Sequence, residues 1–473
     1  MAKYNPVTAE IREKLQDIVG EKHLIYSDRD QLVPYSHDEI ADPQYASLPE
    51  AVVKPASAAE IAALLKLANR ELIPVTPRGA GSGLSGGAVP IRGGIVLSTE
   101  RMNRILEIDK QNLVAVLEPG VITNDFNREA EKEGLFFAGY PMSREMCYIG
   151  GNVAENAGGG RAIKYGVTGR YILGMEIVLP TGDIVNLGGK RVKDVTGYNL
   201  LQLMVGSEGT LGIFTKIAVK LLPLPKCKID MLVLFPDPAT AISAVPLMIN
   251  QTRSVPTGIE FMDRLSLQVS CDYLGESMKR YHEAGAILIV ELDGNDADVI
   301  REEILTMGDL CLDHGALDAF IAENPSDQAR FWKAREHVAE AIKALNPVQS
   351  LEDVVVPISN IPQVIEVLDE LSQKHNLLIP CYGHAGDGNL HATIVKKEEV
   401  PLETWQKELP IVLEELYQAV AQLGGTISGE HGIGHKRKQF VPLVLDEAAI
   451  TAMKSIKKAL DPRLILNPGK LWA

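Results

Sequence analysis

Apolar residues recur at helical or strand spacing along most of the chain. The segment AAEIAALLKLANREL (58–72) places apolar side chains three and four residues apart, which predicts an amphipathic helix. ETWQKELPIVLEELYQAVAQLGG (403–425) has the same spacing and ends at glycines, which commonly cap helices. Shorter apolar runs, among them GGIVLS (93–98) and MEIVLP (175–180), are bounded by turn residues and predict strands.

The pattern changes after PLPKCK (223–228). From there, strand-like runs such as AILIVELDG (286–294) alternate with helix-like segments such as IPQVIEVLDELSQKHN (361–376). This alternation predicts an α+β domain with helices on one face of a sheet. The chain has 473 residues, more than one ordinary core holds, and therefore should form two or three domains.

Composition narrows the classes of function. The net charge of −15 repels phosphate backbones and argues against nucleic-acid binding. No run of about 18 apolar residues predicts a membrane span, and the polar N-terminal helix lacks the apolar core of a secretory signal. Five scattered cysteines without a C-x-x-C pair favour a reducing compartment and exclude a local four-cysteine iron–sulfur motif. We therefore expect a cytoplasmic protein whose cysteines are core thiols.

The segment PRGAGSGLSGGAVP (77–90) carries the first candidate chemistry. Residues 81–86 match the dinucleotide pattern G-x-G-x-x-G, but Pro90, Gly93 and Gly94 prevent the helix that a Rossmann fingerprint requires. Five glycines in residues 79–87 allow backbone N–H groups to approach a ligand closely. The loop is thus predicted to be an anion-binding nest for a diphosphate, with a purely structural loop as the alternative. A second glycine-rich loop (141–169) has little periodicity, and a loop of that length is usually functional.

Seven motifs occur in the order known from one flavoprotein family. They are PRGAGSGLSGGAVP (77–90), GGNVAENAGGG (150–160), GRYILGMEIVLPTGD (169–183), VGSEGTLGI (205–213), GHAGDGNLH (383–391), SGEHGIGHKRKQF (428–440) and LNPGK (466–470). The first four resemble the FAD-binding domain of the vanillyl-alcohol-oxidase/PCMH superfamily. The last three resemble its FAD-linked D-2-hydroxy-acid dehydrogenases, the D-lactate dehydrogenase and glycolate oxidase catalytic-subunit type.

The resemblance implies a PCMH-type FAD-binding domain (1–226), an α+β substrate-binding cap (227–425) and a C-terminal segment (426–473) that returns to the active site. It also implies non-covalently held FAD, because the first glycine loop has no histidine that could tether the flavin. The residues that match the family's FAD contacts are Pro77, Arg78, Gly79, Ala80, Gly81, Ser82, Gly83, Leu84, Pro141, Met142, Ser143, Gly150, Gly151, Asn152, Gly158, Gly159, Gly206, Glu208, Gly209, Ile213 and Asn467.

Three further residues are candidate metal ligands. His384 and His391 are seven apart, so the intervening G-D-G must turn or bulge if both are to point the same way. With Glu430 they would suit a divalent metal that keeps open positions, although spacing alone leaves ordinary hydrogen-bonded histidines as an alternative. The resemblance implies the metal, which would be Zn, Fe or Mn.

Two residues are candidates for the reaction itself. His431 could act as general base, because an imidazole titrates near neutral pH. Arg335 resembles the family arginine that binds the substrate carboxylate, and a solvated helix arginine is the alternative.

The resemblance implies oxidation of a D-2-hydroxy acid, D-lactate or glycolate, to the 2-keto acid by hydride transfer to flavin N5. Electrons would then pass to an electron-transfer-flavoprotein-like or iron–sulfur partner. Alternatives are a D-2-hydroxyglutarate dehydrogenase, a transferase similar to alkyl-dihydroxyacetone-phosphate synthase, and a flavin subunit that only relays electrons.

Overall fold

The computed structural model describes residues 4–40, 42–139, 141–276, 281 and 283–472. The strands, in chain order, are β1 (Leu24–Ile25), β2 (Ala51–Val53), β3 (Val75–Arg78), β4 (Ile95–Ser98), β5 (Ile105–Asp109), β6 (Val114–Leu117), β7 (Leu135–Phe136), β8 (Ile172–Val178), β9 (Ile184–Gly188), β10 (Ile213–Lys220), β11 (Leu222–Pro223), β12 (Cys227–Phe235), β13 (Gly258–Asp263), β14 (Ala286–Gly294), β15 (Asp318–Ala322), β16 (Gln349–Val355), β17 (Cys381–His384) and β18 (Asn389–Val395).

The α-helices are α1 (Ala9–Val19), α2 (Arg29–Leu32), α3 (Ala58–Glu71), α4 (Thr123–Lys132), α5 (Ile149–Glu155), α6 (Ala162–Tyr165), α7 (Leu200–Met204), α8 (Pro238–Gln251), α9 (Arg264–Leu274), α10 (Ala297–Asp313), α11 (Pro325–Glu336), α12 (Val338–Leu345), α13 (Ile361–Lys374), α14 (Leu402–Gln422) and α15 (Glu447–Leu460). The mixture of helices and sheets confirms the predicted α+β class.

The chain divides into two compact units, each made of separate stretches of sequence. The first unit comprises Met1–Gly158, Val167–Leu224 and Glu430–Ala473. The second unit comprises Gly159–Gly166 and Pro225–Gly429. The domain bounds at 226/227 and 425/426 stay predictions. They did not anticipate that the short segment 159–166 joins the second unit.

Two sheets and a pair of short strands build the first unit. One sheet has the order β1-β2-β4-β3, in which β2 and β3 run parallel to β4, and the other is the antiparallel sheet β5-β6-β10-β8-β9. Helix α3 starts at Ser57, whose hydroxyl accepts from the Glu60 amide, and buries its Ile61 and Leu65 in the core. Because this core reaches Leu466, the C-terminal stretch is part of the unit's interior.

The C-terminal stretch is also hydrogen-bonded beside β3. The Val75 amide donates to the Ile465 carbonyl at 2.8 Å, and the Asn467 amide donates to the Val75 carbonyl at 2.7 Å. These bonds place residues 465–467 next to the strand that leads into the first glycine loop.

The second unit is built on one seven-stranded antiparallel sheet in the order β15-β12-β14-β13-β17-β18-β16. Trp332 of α11 donates to Asp230 of β12 at 2.8 Å, whereas Gly308 of α10 packs against the sulfur of Met231. Neighbouring residues on a strand point to opposite faces, so helices cover both faces of the sheet. The expectation of helices on one face was therefore wrong, because strand-like runs that are apolar at every position do not show how many faces are covered.

Segment 159–166 is fixed to this sheet by ionic contacts. The Arg161 guanidinium lies 3.2 Å from Glu291, and Lys164 and the Tyr165 hydroxyl both bond Asp293 of β14. The segment is thus an integral part of the second unit, although it is remote from that unit's main stretch in sequence.

All five cysteines are free, and four of them are buried while Cys227 is half-buried. Among the described helices, none is long and apolar enough to cross a membrane.

Candidate functional site

The first glycine loop lies between β3 and β4, with no helix after it. This topology agrees with the rejection of a Rossmann fingerprint, which requires a helix directly after the glycines. Arg78 ends β3 and donates to the carbonyls of His37 and Pro34 at 2.6 and 3.0 Å. Gly81 has a φ of +77°, and a Cβ there would collide with the Arg78 guanidinium. Arg78 therefore fixes the start of the loop to residues 34 and 37. Position 81 requires glycine because its φ is positive and a side chain would collide with Arg78.

The loop has two halves with different environments. Residues 79–84 are half-buried, and within the described part of the chain their backbone amides meet no protein acceptor. Residues 85–87 are buried, and their carbonyls accept hydrogen bonds from the C-terminal stretch of the first unit. An anion-binding nest needs backbone amides without protein acceptors, and the prediction of such a nest here stays a prediction.

Two buried acids lie at this loop, Asp38, which accepts from the Gly86 amide at 2.7 Å, and Glu208. The Glu208 carboxylate accepts from the Ile433 and Gly434 amides at 2.8 and 2.6 Å. Burial raises the pKa of Glu208, while the two amides act in the opposite direction. The side chain of Asn467 donates to the carbonyls of Glu208 and Gly87 at 2.8 and 3.0 Å, which joins three of the predicted motifs.

The remaining predicted FAD contacts fall into groups with different roles. Gly150 packs against Pro119, and the Asn152 side chain donates to Thr123, so both support the fold around α5. Gly151 differs, because no described atom lies within 4 Å of a Cβ built there, which leaves room for a ligand. The other predicted contacts lie outside α5 and differ in exposure. Pro141 is half-buried, Met142, Ser143 and Gly206 are exposed, and Gly158, Gly159, Gly209 and Ile213 are buried. Of these, Gly159 belongs to the second unit and the others to the first.

His384 and His391 lie together on the sheet of the second unit. Strands β17 and β18 form a hairpin in which His384 pairs with Asn389, so His391, two residues further on, faces the same side. The two imidazole rings are 5.2 Å apart between centroids and nearly perpendicular. The hairpin turn at residues 385–388 thus brings together two side chains whose spacing on one straight strand would separate them.

Each imidazole has a buried acid nearby. Glu260 lies 2.6 Å from His384 Nδ1, and its other oxygen lies 2.7 Å from the Arg335 guanidinium. Asp353 lies 3.9 Å from His391 Nδ1 and accepts from the Gly429 amide at 2.9 Å. A carboxylate hydrogen-bonded to a histidine fixes the orientation and tautomer of the ring, and Glu260 is placed to do this for His384, whereas the distance from Asp353 to His391 is too long for a hydrogen bond.

The pairing with His384 and Arg335 affects the pKa of Glu260. Burial alone would raise the pKa, but His384 and Arg335 outweigh burial and the pKa is lowered. Glu260 is therefore a carboxylate at neutral pH, able to hold two cationic or hydrogen-bonding partners. The Arg335 side chain also lies over the Tyr382 ring at 5.0 Å and is only 5 % exposed, which excludes the solvated-arginine alternative.

Glu430 and His431 begin the C-terminal stretch of the first unit. Their side chains are half-buried, with His431 Nε2 3.9 Å from the Glu430 carboxylate. Gly158 lies against Glu430, and the following Gly432 has a φ of +85°. Residues 429–435 form no helix, in keeping with the absence of a zinc-protease motif at His431 and His435.

Glu260 and Asp353 were not predicted as site residues. Both occur inside strand-like sequences, GIEFMD and LEDVV, where acidic residues stand among apolar ones. Buried charges are rarely tolerated without a partner, so these acidic residues were the available signal.

Comparisons with known proteins agree with this arrangement. Residues 49–188 match the model of the FAD binding domain, and residues 224–471 match that of FAD linked oxidases, C-terminal domain. Glycolate oxidase subunit GlcD of Bacillus subtilis is 39% identical over 99% of this chain and 97% of its own length. A D-lactate dehydrogenase of Anaerostipes hadrus is 37% identical over 99% of this chain and 98% of its own length.

A solved structure of p-cresol methylhydroxylase matches the fold with a TM-score of 0.79. It is 20% identical and covers 100% of this chain and 98% of that one, so the likeness concerns the PCMH-type fold alone. One family model matches the flavin domain, a second matches the C-terminal domain over half of the chain, and the relatives match over nearly their whole length. The chain therefore belongs to the FAD-linked oxidases, as a FAD-dependent oxidoreductase of the D-lactate dehydrogenase and glycolate oxidase GlcD type.

Proposed function

We propose that the protein oxidises a D-2-hydroxy acid, D-lactate or glycolate, to the corresponding 2-keto acid. The observation that carries the proposal is the pairing of His384 and Arg335 through Glu260, beside His391, on one face of the second unit's sheet. This face offers both imidazole ligands and a guanidinium for a substrate carboxylate. The names of the two relatives, a glycolate oxidase subunit and a D-lactate dehydrogenase, support the same substrate class.

FAD would lie in the first unit with its diphosphate at residues 78–84, and when bound it supplies the hydride acceptor. The unused amides of the loop and the open space at Gly151 fit this cofactor. Asn467 and Glu208 would hold the neighbouring backbone, as their bonds to Gly87, Ile433 and Gly434 do in the protein alone.

A divalent metal would be held by His384, His391 and Glu430, and when bound it lowers the pKa of the substrate hydroxyl. Support comes from the donor set, two imidazoles of which His384 is hydrogen-bonded to the Glu260 carboxylate and His391 lies 3.9 Å from the Asp353 carboxylate. Glu430 follows Gly429 directly in the chain, and the Gly429 amide is bonded to the Asp353 that stands behind His391. Zn, Fe and Mn all accept such ligands.

The chain's own residues would then divide the work. Arg335 would bind the substrate carboxylate, since its Nη2 forms an ion pair with Glu260 and its Nε has no hydrogen-bond partner among the described residues. His431 would accept the proton of the C2 hydroxyl as C2 is oxidised. Electrons would leave through a partner electron-transfer protein, and the protein would work in the cytoplasm.

Anaerobic mixing with candidate substrates tests this proposal. D-lactate or glycolate should bleach the flavin absorption band of the purified protein, whereas L-lactate should not. His431→Asn should stay yellow but lose about 10²–10⁴-fold in bleaching rate, the usual contribution of a general base. His314→Asn, at the end of α10 in the second unit, serves as the control.

Three outcomes would contradict the proposal. If no 2-hydroxy acid bleaches the flavin, the transferase class becomes the better assignment, and if only D-2-hydroxyglutarate does, the substrate is wrong. If His431→Asn bleaches within twofold of the wild type, His431 is not the base.

A further inference from the structure

We propose that the end of the chain sets the conformation of the flavin-binding loop, and that Lys470 is the positioning residue that makes this possible. The inference concerns residues 432–437 and 467–470, here called the C-terminal clasp. It rests on the proposed position of the FAD diphosphate at residues 78–84.

The clasp donates hydrogen bonds to nearly every backbone carbonyl of the second half of the loop. Lys470 Nζ donates to the carbonyls of Gly86 and Val89 at 2.7 and 2.5 Å. The His435 and Lys436 amides both donate to the Ser85 carbonyl, at 2.8 and 3.0 Å.

Two more donors complete the set. The Arg437 guanidinium donates to the Leu84 carbonyl at 3.3 Å, and the Asn467 side chain donates to the Gly87 carbonyl at 3.0 Å. Five carbonyls within six residues thus accept from one distant part of the chain. Among the described residues, no other part of the chain makes as many hydrogen bonds to this half of the loop.

Lysine is an unusual choice for this task because the residue is almost fully enclosed. Lys470 is 3 % exposed, and burial lowers its pKa to about 7, while Asp38 and Glu208 act in the opposite direction. Burying an ammonium group costs free energy unless the group is well hydrogen-bonded. The two carbonyl partners of Lys470 supply those hydrogen bonds. The Lys470 side chain reaches two carbonyls that are three residues apart and so holds the loop at both.

The first half of the loop is consequently held at its two ends. Arg78 is bonded to residues 34 and 37 at one end, and the clasp holds residues 84–89 at the other. Between them the amides of 79–84 remain available for an anion. Holding a binding loop in its bound conformation before the ligand arrives reduces the ordering cost of binding.

The first test is the affinity of the apoprotein for FAD, measured by quenching of flavin fluorescence. Lys470→Met removes both donors at similar length, and we expect FAD to bind at least about tenfold more weakly, which corresponds to ~1.4 kcal/mol. Lys470→Gln keeps one short donor and should lie between this variant and the wild type. Lys458→Met, on the exposed side of α15, is the matched control and should leave the affinity unchanged.

Hydrogen exchange of the apoprotein gives a second readout that needs no flavin. In Lys470→Met the amides of Gly86 and Gly87 should exchange faster, while those of β8 and β10 should keep wild-type protection. The unchanged strands would show that the variant is folded. Equal FAD affinity and equal exchange in Lys470→Met and wild type would overturn the role of the clasp.

One further variant separates this inference from the proposed diphosphate position. Among the described residues, a Cβ at Gly83 would have only Asp38 near it, at 3.9 Å, so Gly83→Ala should fold but place a methyl group in the ligand's space. If Gly83→Ala weakens FAD binding and Lys470→Met does not, the clasp inference alone is wrong. If Gly83→Ala binds FAD normally, the diphosphate lies elsewhere and both are wrong.

Discussion

Two buried glutamates, one in each unit, are held by different kinds of partner. Glu208 in the first unit accepts from two backbone amides, those of Ile433 and Gly434. Glu260 in the second unit is held by two side chains, His384 and Arg335. Backbone amides neither titrate nor change rotamer, whereas an imidazole and a guanidinium can engage a ligand with their remaining groups. We infer that Glu208 fixes a cofactor loop and that Glu260 orients reactive side chains.

The largest expected effect comes from removing the guanidinium partner of Glu260. Arg335→Met leaves a buried carboxylate with one partner fewer, and loss of one member of a buried ion pair typically costs about 3–5 kcal/mol. The free energy of unfolding of the second unit should fall by that amount, as measured by urea-dependent hydrogen exchange of β13 and β17.

Arg330→Met is the matched control for this prediction. Arg330 lies on the same helix but is exposed, with its ion pair to Asp327 in solvent, and should contribute less than about 1 kcal/mol. If Arg335→Met and Arg330→Met destabilise the protein equally, the Glu260 pair does not hold the second unit together.

The next effect separates the two glutamates by function. Glu260→Gln should lower kcat/KM by about 10–100-fold with a normal flavin content, because the amide cannot replace the carboxylate behind His384. Glu208→Gln should instead lower the flavin content of the purified protein.

Glu291→Gln controls for the loss of a buried acid from the same face of the sheet. Its carboxylate bonds Lys228 and lies near Arg161, not a histidine, so its kcat/KM should stay within a few-fold of wild type. The comparison fails if Glu260→Gln releases flavin, or if Glu208→Gln changes turnover of the flavin-loaded enzyme.

The smallest effect concerns pH and the first unit. Burial, with Lys438, Lys470 and Arg92 nearby, lowers the pKa of His435 to about 4. A histidine whose pKa is lower in the folded state stabilises the fold above its unfolded pKa of about 6.5, and this contribution is lost as pH falls towards 4. Because the side chain is only half-buried, we expect about 1 kcal/mol.

His435→Gln should therefore lose less stability than wild type between pH 7 and pH 4.5, as measured by urea unfolding of the first unit at each pH. Parallel profiles for His435→Gln and wild type would show that His435 does not contribute to acid sensitivity.

Much of the architecture could be predicted from local sequence. The glycine density at 79–87, followed by prolines and glycines instead of a helix, was sufficient to exclude a Rossmann turn, and the anion nest stays a prediction. The G-D-G between the two histidines likewise required a turn, and the hairpin of β17 and β18 supplies it.

The contacts that support the site could not be predicted, because they join residues far apart in the chain. Glu260 and His384 are 124 residues apart, and Lys470 is 384 residues from Gly86. No acidic residue lies three or four positions from Arg335 in the sequence, and its acidic partner comes from a strand instead. Periodicity describes one element at a time, so it does not reveal a pair formed by two of them.

The C-terminal clasp has a consequence for biosynthesis. Lys470, whose side chain donates to the Gly86 carbonyl, is synthesised 384 residues after Gly86. Earlier parts of a nascent chain generally begin to fold first, so the first glycine loop is made long before its clasp. If the clasp is needed for flavin binding, a chain that stalls before residue 470 should remain colourless.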